Sequence, residues 1–181
     1  VSLLSGGLDS TTVTAYAENR VDRLTALTFH YGQTHSKEVE CAGLIARLLG
    51  VKHQLLDISF LGQVAWYSAL TNPGTFSIPY GRPEEEIGLG IPVTYVPLRN
   101  TIFLALSAAY LESEALNAIE VDGRGHDTIS AHLYMAPNAI DYSGYPDCRP
   151  EYFEYMKQAL YRGSKIGTQY DLSLIHISEP T

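Results

Sequence analysis

The chain is short of the residues that build disulfide frameworks, zinc clusters and nucleic-acid surfaces. Its two cysteines, Cys41 and Cys148, give neither a C-x-x-C metal pair nor a disulfide framework. Lysine and arginine number 12 against 20 aspartate and glutamate residues, and the net charge of −8 argues against a large nucleic-acid surface. No apolar run approaches the roughly 20 residues that span a membrane, and no signal peptide is visible. These absences favour a protein of the reducing cytoplasm.

The rest of the composition is that of a globular domain. The 181 residues are 45% hydrophobic and 18% charged, which suits a domain with a sizeable core. Strand and helix patterns alternate, and this alternation predicts an α/β fold, a doubly wound parallel sheet with helices on both faces. The predicted strands cover residues 1–4, 24–30, 52–58 and 132–136, and the predicted helices cover residues 10–19, 36–49, 100–111 and 150–161. Ligands bind such sheets at the carboxyl ends of the strands.

A glycine turn follows the first predicted strand. Its residues, Ser5-Gly6-Gly7-Leu8-Asp9-Ser10, join that strand to the first predicted helix. Glycine lets the backbone approach an anion closely, and the free N–H groups of a helix N-terminus favour negative charge. The chain contains no Walker A sequence, so the turn is a different kind of anion site. The alternative is an ordinary turn before a capped helix.

Further polar residues lie where other predicted strands end or helices begin. Gln33 and His35 follow the second strand and can hydrogen-bond a nucleotide or a heterocycle, although an exposed histidine in a capped loop is the alternative. Arg99 and Asn100 open the apolar helix, where a guanidinium suits a carboxylate or a phosphate. A structural ion pair is the alternative there. We expect the segments Tyr31–His35, Arg99–Asn100 and Asp141–Arg149 to converge with the glycine turn on one rim of the sheet.

The segment 141–149 is dense in functional side chains. It contains Asp141, Tyr142, Ser143, Gly144, Tyr145, Asp147, Cys148 and Arg149. The tyrosines can stack on a planar base, and the carboxylates can accept hydrogen bonds from an amino edge such as that of guanine. A plain turn does not need so many functional groups. No histidine partner for Cys148 is evident, so we interpret it as a small buried thiol rather than a nucleophile.

Four segments occur in the order SGGLDSTT, YGQTHSKEVECA, VPLRNTIFLALSAA and NAIDYSGYPDCRPEYF. They resemble the 7-cyano-7-deazaguanine synthase family, adenylating enzymes with a pyrophosphate loop and a Rossmann-like, adenine nucleotide alpha hydrolase-like fold. The DYSGYPDCRPE segment distinguishes this family from GMP, NAD and asparagine synthetases. The resemblance implies a cytoplasmic ligase of the queuosine and archaeosine pathway that converts 7-carboxy-7-deazaguanine, ammonia and ATP to the nitrile through adenylated acid and amide intermediates. An amide ligase for another carboxylate, or an ATP-binding fragment without catalysis, remains as an alternative.

The resemblance also implies roles for individual residues, with ATP and Mg²⁺ as cofactors. The implied ATP-binding residues are Leu4, Ser5, Gly6, Gly7, Leu8, Asp9, Ser10, Thr11 and Thr12. The implied catalytic residues are Asp9, Arg99, Asp147 and Arg149. The implied substrate-binding residues are Gln33, His35, Arg99, Asn100, Asp141, Tyr142, Ser143, Gly144, Tyr145 and Asp147. The implied partners are small molecules, without direct nucleic-acid or membrane contact, and a homodimer is left open.

Several parts of the chain stand outside this pattern. The family carries a four-cysteine zinc site near its C-terminus that this sequence lacks, so Zn²⁺ is expected only in a longer protein. We assign residues 1–167 to the adenylating domain. We expect residues 168–181 to be a non-native tail, similar to a translated sequencing adapter. We also expect the natural N-terminus to lie upstream of residue 1. Residues 71–92 are interpreted as a lid or a disordered excursion. Residues 121–130 are interpreted as a polar surface loop rather than a metal site.

Overall fold

The computed structural model describes residues 1–32, 36–76, 91–137 and 145–173. Three parallel strands, β1 (Ser2–Leu3), β2 (Thr25–His30) and β3 (Lys52–Asp57), lie side by side in the order β1-β2-β3. The helices of the described residues are α1 (Leu8–Glu18), α2 (Ser36–Leu49), α3 (Leu61–Val64), α4 (Arg99–Leu116), α5 (Pro150–Gly163) and α6 (Lys165–Tyr170). The predicted parallel α/β fold is therefore confirmed.

The two faces of the sheet are covered by different helices because successive strand side chains point to opposite sides. Leu4 and Ala26 pack in one cluster with Ala42 and Ala46 of α2. Leu27 belongs to a second, larger cluster that also contains Leu3, Phe29, Leu104 and Ala108, the last two from α4. β2 lies between its neighbours and has these clusters on its two faces, so its first five residues are buried.

The fourth predicted strand, 132–136, forms a single bridge rather than a strand. Tyr134 pairs with Ser2 in parallel on the side of β1 away from β2. The N–H of Leu3 donates to the carbonyl of Tyr134 at 3.0 Å, and the N–H of Tyr134 donates to the carbonyl of Val1 at 2.9 Å. The segment thus continues the sheet by one residue pair beside β1.

Several helix boundaries differ from the sequence prediction, most clearly the start of α1 and the end of α4. Helix α1 begins at Leu8 rather than at residue 10, because Gly7 already takes the extended N-cap conformation. Helix α4 ends at Leu116, five residues after the predicted end, and passes into a π-helix at Asn117–Val121. Its buried face continues past Leu111 through Ala115 and Ala118, so the added residues pack on the core.

Helix α4 is apolar but is buried on one face only. Leu104, Ala108 and Leu111 face the core, and Leu106 is 36% exposed. With its π-helical end, the stretch Arg99–Val121 is long and apolar enough to cross a membrane by length and composition, which the sequence analysis did not expect. Its Phe103 stacks on Phe29 of β2, and its Leu104 and Ala108 belong to the same cluster as Leu27, which is the packing of a core helix.

Helix α6 crosses the boundary that the sequence analysis places after residue 167. Ile166 is fully buried, and the N–H of Leu172 donates to its carbonyl at 3.1 Å. Tyr170 donates a hydrogen bond of 2.7 Å to Glu120. Residues 168–173 therefore pack on the domain, while 174–181 lie outside the described residues, as do residues 77–90 of the predicted lid.

The loop 121–130 lies on the surface, as the sequence analysis favoured. His126–Thr128 form one 3₁₀ turn, and all ten residues of the loop except Ile129 are exposed. Asp122 accepts hydrogen bonds of 3.5 Å from Asn117.

Candidate active site

The glycine turn joins β1 to α1 at the carboxyl edge of the sheet. The Ser5 hydroxyl lies 3.0 Å from the Ser10 hydroxyl and accepts a 3.4 Å hydrogen bond from the N–H of Gly7. The hydroxyls of Thr11 and Thr12 donate back to the carbonyls of Gly7 and Leu8, at 2.7 and 3.0 Å. No side chain caps α1 at its N-cap position, so its first N–H groups are left for an anion.

The two glycines of the turn have different surroundings: Gly6 packs against α2, and Gly7 lines the cavity. Gly6 has φ +87°, and a Cβ built on it would lie 2.6 Å from the carbonyl oxygen of Glu38 and 3.0 Å from the N of Ala42. Gly6 is therefore required where the turn packs against the backbone of α2. Gly7 lines the cavity, and a Cβ on it would meet only the Ser5 hydroxyl, at 3.5 Å, among the described residues. Gly7 thus faces the cavity, while Gly6 shapes the turn.

A cavity of about 370 Å³ opens beside this turn. It is lined by the turn, the end of β2, the start of α4, residues 135–137 and Cys148. The volume lies within the usual range of ligand pockets, roughly 300–1,000 Å³. Part of the rim that the sequence analysis expected forms from segments distant in the chain, since Tyr31, Arg99 and Asn100 face the same space as the glycine turn.

Asn100 joins the start of α4 to the segment before α5. Its backbone N–H donates to the carboxylate of Asp147 at 3.0 Å, and its side-chain amide donates to the carbonyl of Asp147 at 3.2 Å. The same amide lies 3.1 Å from the sulfur of Cys148. Asn100, Asp147 and Cys148 are each no more than 4% exposed. The three residues form a buried junction, which we call the Asn100 junction, beneath the rim that carries Arg99.

The predicted site residues are only partly brought together. Most of the turn lines the cavity with Arg99 and Asn100, whereas Gly6, Thr11 and Thr12 do not. Asp147 lies under α4, and Arg149 is exposed at the N-cap of α5. Tyr145 lies 3.0 Å from the Thr94 hydroxyl. The substrate roles of these three stay predictions. The predicted residues Gln33, His35, Asp141, Tyr142, Ser143 and Gly144 lie outside the described residues.

The structure adds lining residues that the sequence analysis did not select. Glu38 lies in the first turn of α2 and reaches the cavity. Phe29, Tyr31 and Phe103 form an aromatic group in which Phe29 and Phe103 stack with ring centroids 4.4 Å apart. Phe103 follows Arg99 by four residues, so helical spacing alone places the two on one face of α4. This four-residue spacing from Arg99 could have identified Phe103 as a site residue from the sequence alone.

The lining of the cavity carries charges of both signs. Among the lining residues that the structure describes, Arg99 is the one lysine or arginine, and Asp9 and Glu38 are the acids. Thr28 at the base is buried, donates to the carbonyl of Leu4 at 2.7 Å and lies 2.8 Å from His53 Nε2. Since the single proton of the Thr28 hydroxyl goes to Leu4, His53 is the donor in the second contact. Burial and then the charge of Arg47 hold the pKa of His53 below its usual value of 6.5.

The fold and the cavity define a class: a parallel α/β protein whose glycine turn, after its first strand, faces a pocket suited to an anionic ligand. A family model described as "Queuosine biosynthesis protein QueC" matches residues 1–180, and the chain belongs to this family. Its match includes most of the segment that we expected to be a non-native tail.

Curated relatives carry one name. The chain is 43% identical to the 7-cyano-7-deazaguanine synthase of Thermoplasma volcanium, over 99% of the chain and 66% of that protein. It is 42% identical to the synthase of the same name from Cyanothece sp., over 93% of the chain and 67% of the relative. With the Syntrophus aciditrophicus synthase it shares 44% identity over the same two fractions, 93% and 67%. The chain spans about two thirds of the length of these relatives.

Proposed function

We propose that the chain carries the nucleotide- and acid-binding part of an ATP-dependent 7-cyano-7-deazaguanine synthase. The observation that carries this proposal is the cavity, which joins an uncapped glycine turn to Arg99 across one rim. The turn offers backbone N–H groups to a pyrophosphate, and Arg99 offers a guanidinium to a carboxylate. The family and the name of the relatives supply the substrate class.

The glycine turn suits the phosphates of ATP. The first N–H groups of α1 and the hydroxyls of Ser5 and Ser10 would hold the pyrophosphate, and Gly7 leaves room for it. Asp9 and Glu38 lie on the same cavity and fit a Mg²⁺ ion that is bound mainly through phosphate oxygens. When bound, this ion would neutralise charge on the leaving pyrophosphate. The chain's own part is to hold the α-phosphorus in place beside the acid.

The reaction proposed needs the acid beside that phosphorus. A carboxylate oxygen attacks the α-phosphorus and pyrophosphate leaves, which gives an acyl adenylate. Ammonia displaces AMP to give the amide. The amide oxygen attacks a second ATP in the same way, and loss of AMP with two protons from nitrogen gives the nitrile. Arg99 would orient the carboxylate for the first attack, and each nitrile formed consumes two ATP.

The proposed reaction does not use a zinc ion bound by the described residues. Among the described residues no three histidine, cysteine, aspartate or glutamate side chains form a group that suits a metal. Cys148 is buried in the Asn100 junction, and Cys41 lies on the surface of α2. The expectation of Zn²⁺ in a longer protein stays a prediction, and no step here uses it.

The test is a stoichiometric assay. The chain is incubated with ATP, Mg²⁺, ammonia and 7-carboxy-7-deazaguanine, and AMP, amide and nitrile are quantified by mass spectrometry. We expect acid-dependent AMP at two per nitrile, and no AMP when benzoate replaces the acid. Release of one AMP with the amide as end product would favour an amide ligase and overturn the proposal. ATP binding without any AMP would identify an ATP-binding module instead.

A further inference from the structure

An aromatic wall borders the cavity at the start of α4. Phe29 of β2 is buried and stacks on Phe103 of α4, with ring centroids 4.4 Å apart and the ring planes 11° apart. The Tyr31 ring lies 5.6 Å from that of Phe103 at a tilt of 53°. Phe103 and Tyr31 are only partly buried and pack against the main core, and all three residues line the cavity. The core thus fixes the wall, and the cavity leaves part of it open to a ligand.

The wall lies next to the cation of the cavity. Arg99 and Phe103 are four residues apart on α4, so their side chains lie one above the other on one face. A ligand that carries a carboxylate directly on a planar ring can place the carboxylate at Arg99 and the ring at Phe103 together. An adenine base carries no carboxylate, and ribose separates it from its phosphates, so it matches this pair less well.

The two anion-binding features of the cavity are also of different kinds. The glycine turn provides backbone N–H groups at the start of α1, which suit phosphate oxygens. Arg99 provides a planar fork that suits a carboxylate. If phosphate binds at the glycine turn and carboxylate binds at Arg99, the aromatic wall beside Arg99 contacts the ligand that carries the carboxylate.

We infer that Phe103, backed by Phe29, is a specificity-determining residue that stacks on the planar ring of the acid substrate whose carboxylate Arg99 holds. This inference rests on the proposed function, because it concerns the acid of that reaction. Base–aromatic stacking is worth enough that its loss should weaken acid binding about tenfold. ATP binding at the glycine turn should change less than twofold.

The experiment measures two affinities for each variant of the chain by isothermal titration calorimetry, one for 7-carboxy-7-deazaguanine and one for Mg-ATP. Phe103→Leu removes the aromatic face and keeps an apolar side chain, and Phe103→Tyr keeps the face. Phe60→Leu is the matched control, since Phe60 is 57% exposed and does not line the cavity. If Phe103→Leu does not fold, Phe103→Met carries the same comparison.

We expect Phe103→Leu to bind the acid about tenfold more weakly than the parent, with Phe103→Tyr and Phe60→Leu within twofold of it. The KM for the acid should rise with little change in the KM for ATP. Unchanged acid affinity in Phe103→Leu, beside clear acid binding by the parent, overturns the inference alone. A loss of ATP affinity in place of acid affinity also overturns it, because the wall would then belong to the nucleotide base. Failure of the parent to bind the acid overturns the proposed function itself.

Discussion

Alanine substituted at Gly6 should lower the stability of the fold, whereas alanine substituted at Gly7 should weaken ligand binding. At Gly6 an alanine would hold φ near +87°, which costs an L-residue roughly 1–2 kcal/mol. Its Cβ would also lie 2.6 Å from the Glu38 carbonyl oxygen, and overpacking of this kind costs about 1–3 kcal/mol. The free energy of unfolding should therefore fall by roughly 2–5 kcal/mol. For a domain of this size that lowers Tm by about 10 °C.

Gly7→Ala should have the opposite profile. Gly7 has φ −81° and ψ 167°, which alanine adopts freely, and its Cβ would meet only the Ser5 hydroxyl at 3.5 Å. Tm should stay within about 2 °C of the parent. The methyl group would reduce the approach of a phosphate to the N–H groups of α1. Losing one hydrogen bond to a charged phosphate should weaken Mg-ATP binding about tenfold or more.

Both variants are compared by calorimetric unfolding and by titration with Mg-ATP. Gly163→Ala is the control, because Gly163 ends α5 and a Cβ there meets no atom within 4 Å. It should change neither Tm nor ATP affinity appreciably. If Gly6→Ala melts with the parent and loses only ATP affinity, Gly6 faces the ligand and the packing argument is wrong. If Gly7→Ala binds ATP as the parent does, the turn is not the phosphate site.

Three further outcomes are expected. Asp147→Asn should lower Tm by about 3–6 °C, because the charged acceptor of the buried Asn100 N–H becomes a neutral one, whose hydrogen bond is worth about 1–2 kcal/mol less. Asp22→Asn is the control, since Asp22 is exposed, and it should leave Tm unchanged. If the two variants melt at the same temperature, the Asn100 junction does not stabilise the fold. The lowered pKa of His53 means that the folded chain takes up a proton less readily than the unfolded chain, so stability should be lost as pH falls below about 6.5. His53→Gln should flatten unfolding curves measured from pH 5 to 8, and an unaltered profile would contradict this. Deleting 168–181 should lower Tm, and an unchanged Tm would support a non-native tail.

The sequence predicted the elements whose signals are local. The bounds of α2 agree at both ends, because an apolar face at helical spacing runs from Ser36 to the glycine that follows Leu49. Burial of β2 followed from its apolar run. The last turn of α4 was missed although Ala115 continues the buried face four residues after Leu111, because the polar residues between them obscure the helical spacing. The predicted strand near Tyr134 shrank to a bridge for a similar reason, since pairing depends on β1.

The candidate site divides in the same way. The glycine turn and Arg99 were visible as motifs, because each combines a few residues beside a predicted helix start. The role of Gly6 was not visible in the sequence. Only the packing against α2 shows that the absence of a Cβ at Gly6 accommodates the backbone of that helix and not a phosphate. The position of Asp147 beneath α4 likewise depends on a contact across 47 residues of chain. Density of functional groups in a turn indicates importance, but it does not separate binding from structure.

The N-termini of α1 and α4 both meet this cavity, and their caps differ. The N-cap of α1 has no side-chain hydrogen bond, and the glycine turn leaves its N–H groups facing the pocket. At α4 the N-cap Leu98 has φ 55° and no side-chain hydrogen bond of its own, and Asp147 accepts the N–H of Asn100 instead. A phosphate would therefore meet open N–H groups at α1 and a buried carboxylate at α4. Anion binding at α4 must then come from a side chain, which is the position that Arg99 occupies, one turn before Phe103. Loss of Asp147 should accordingly weaken acid binding through the displacement of α4 and leave the phosphate end intact.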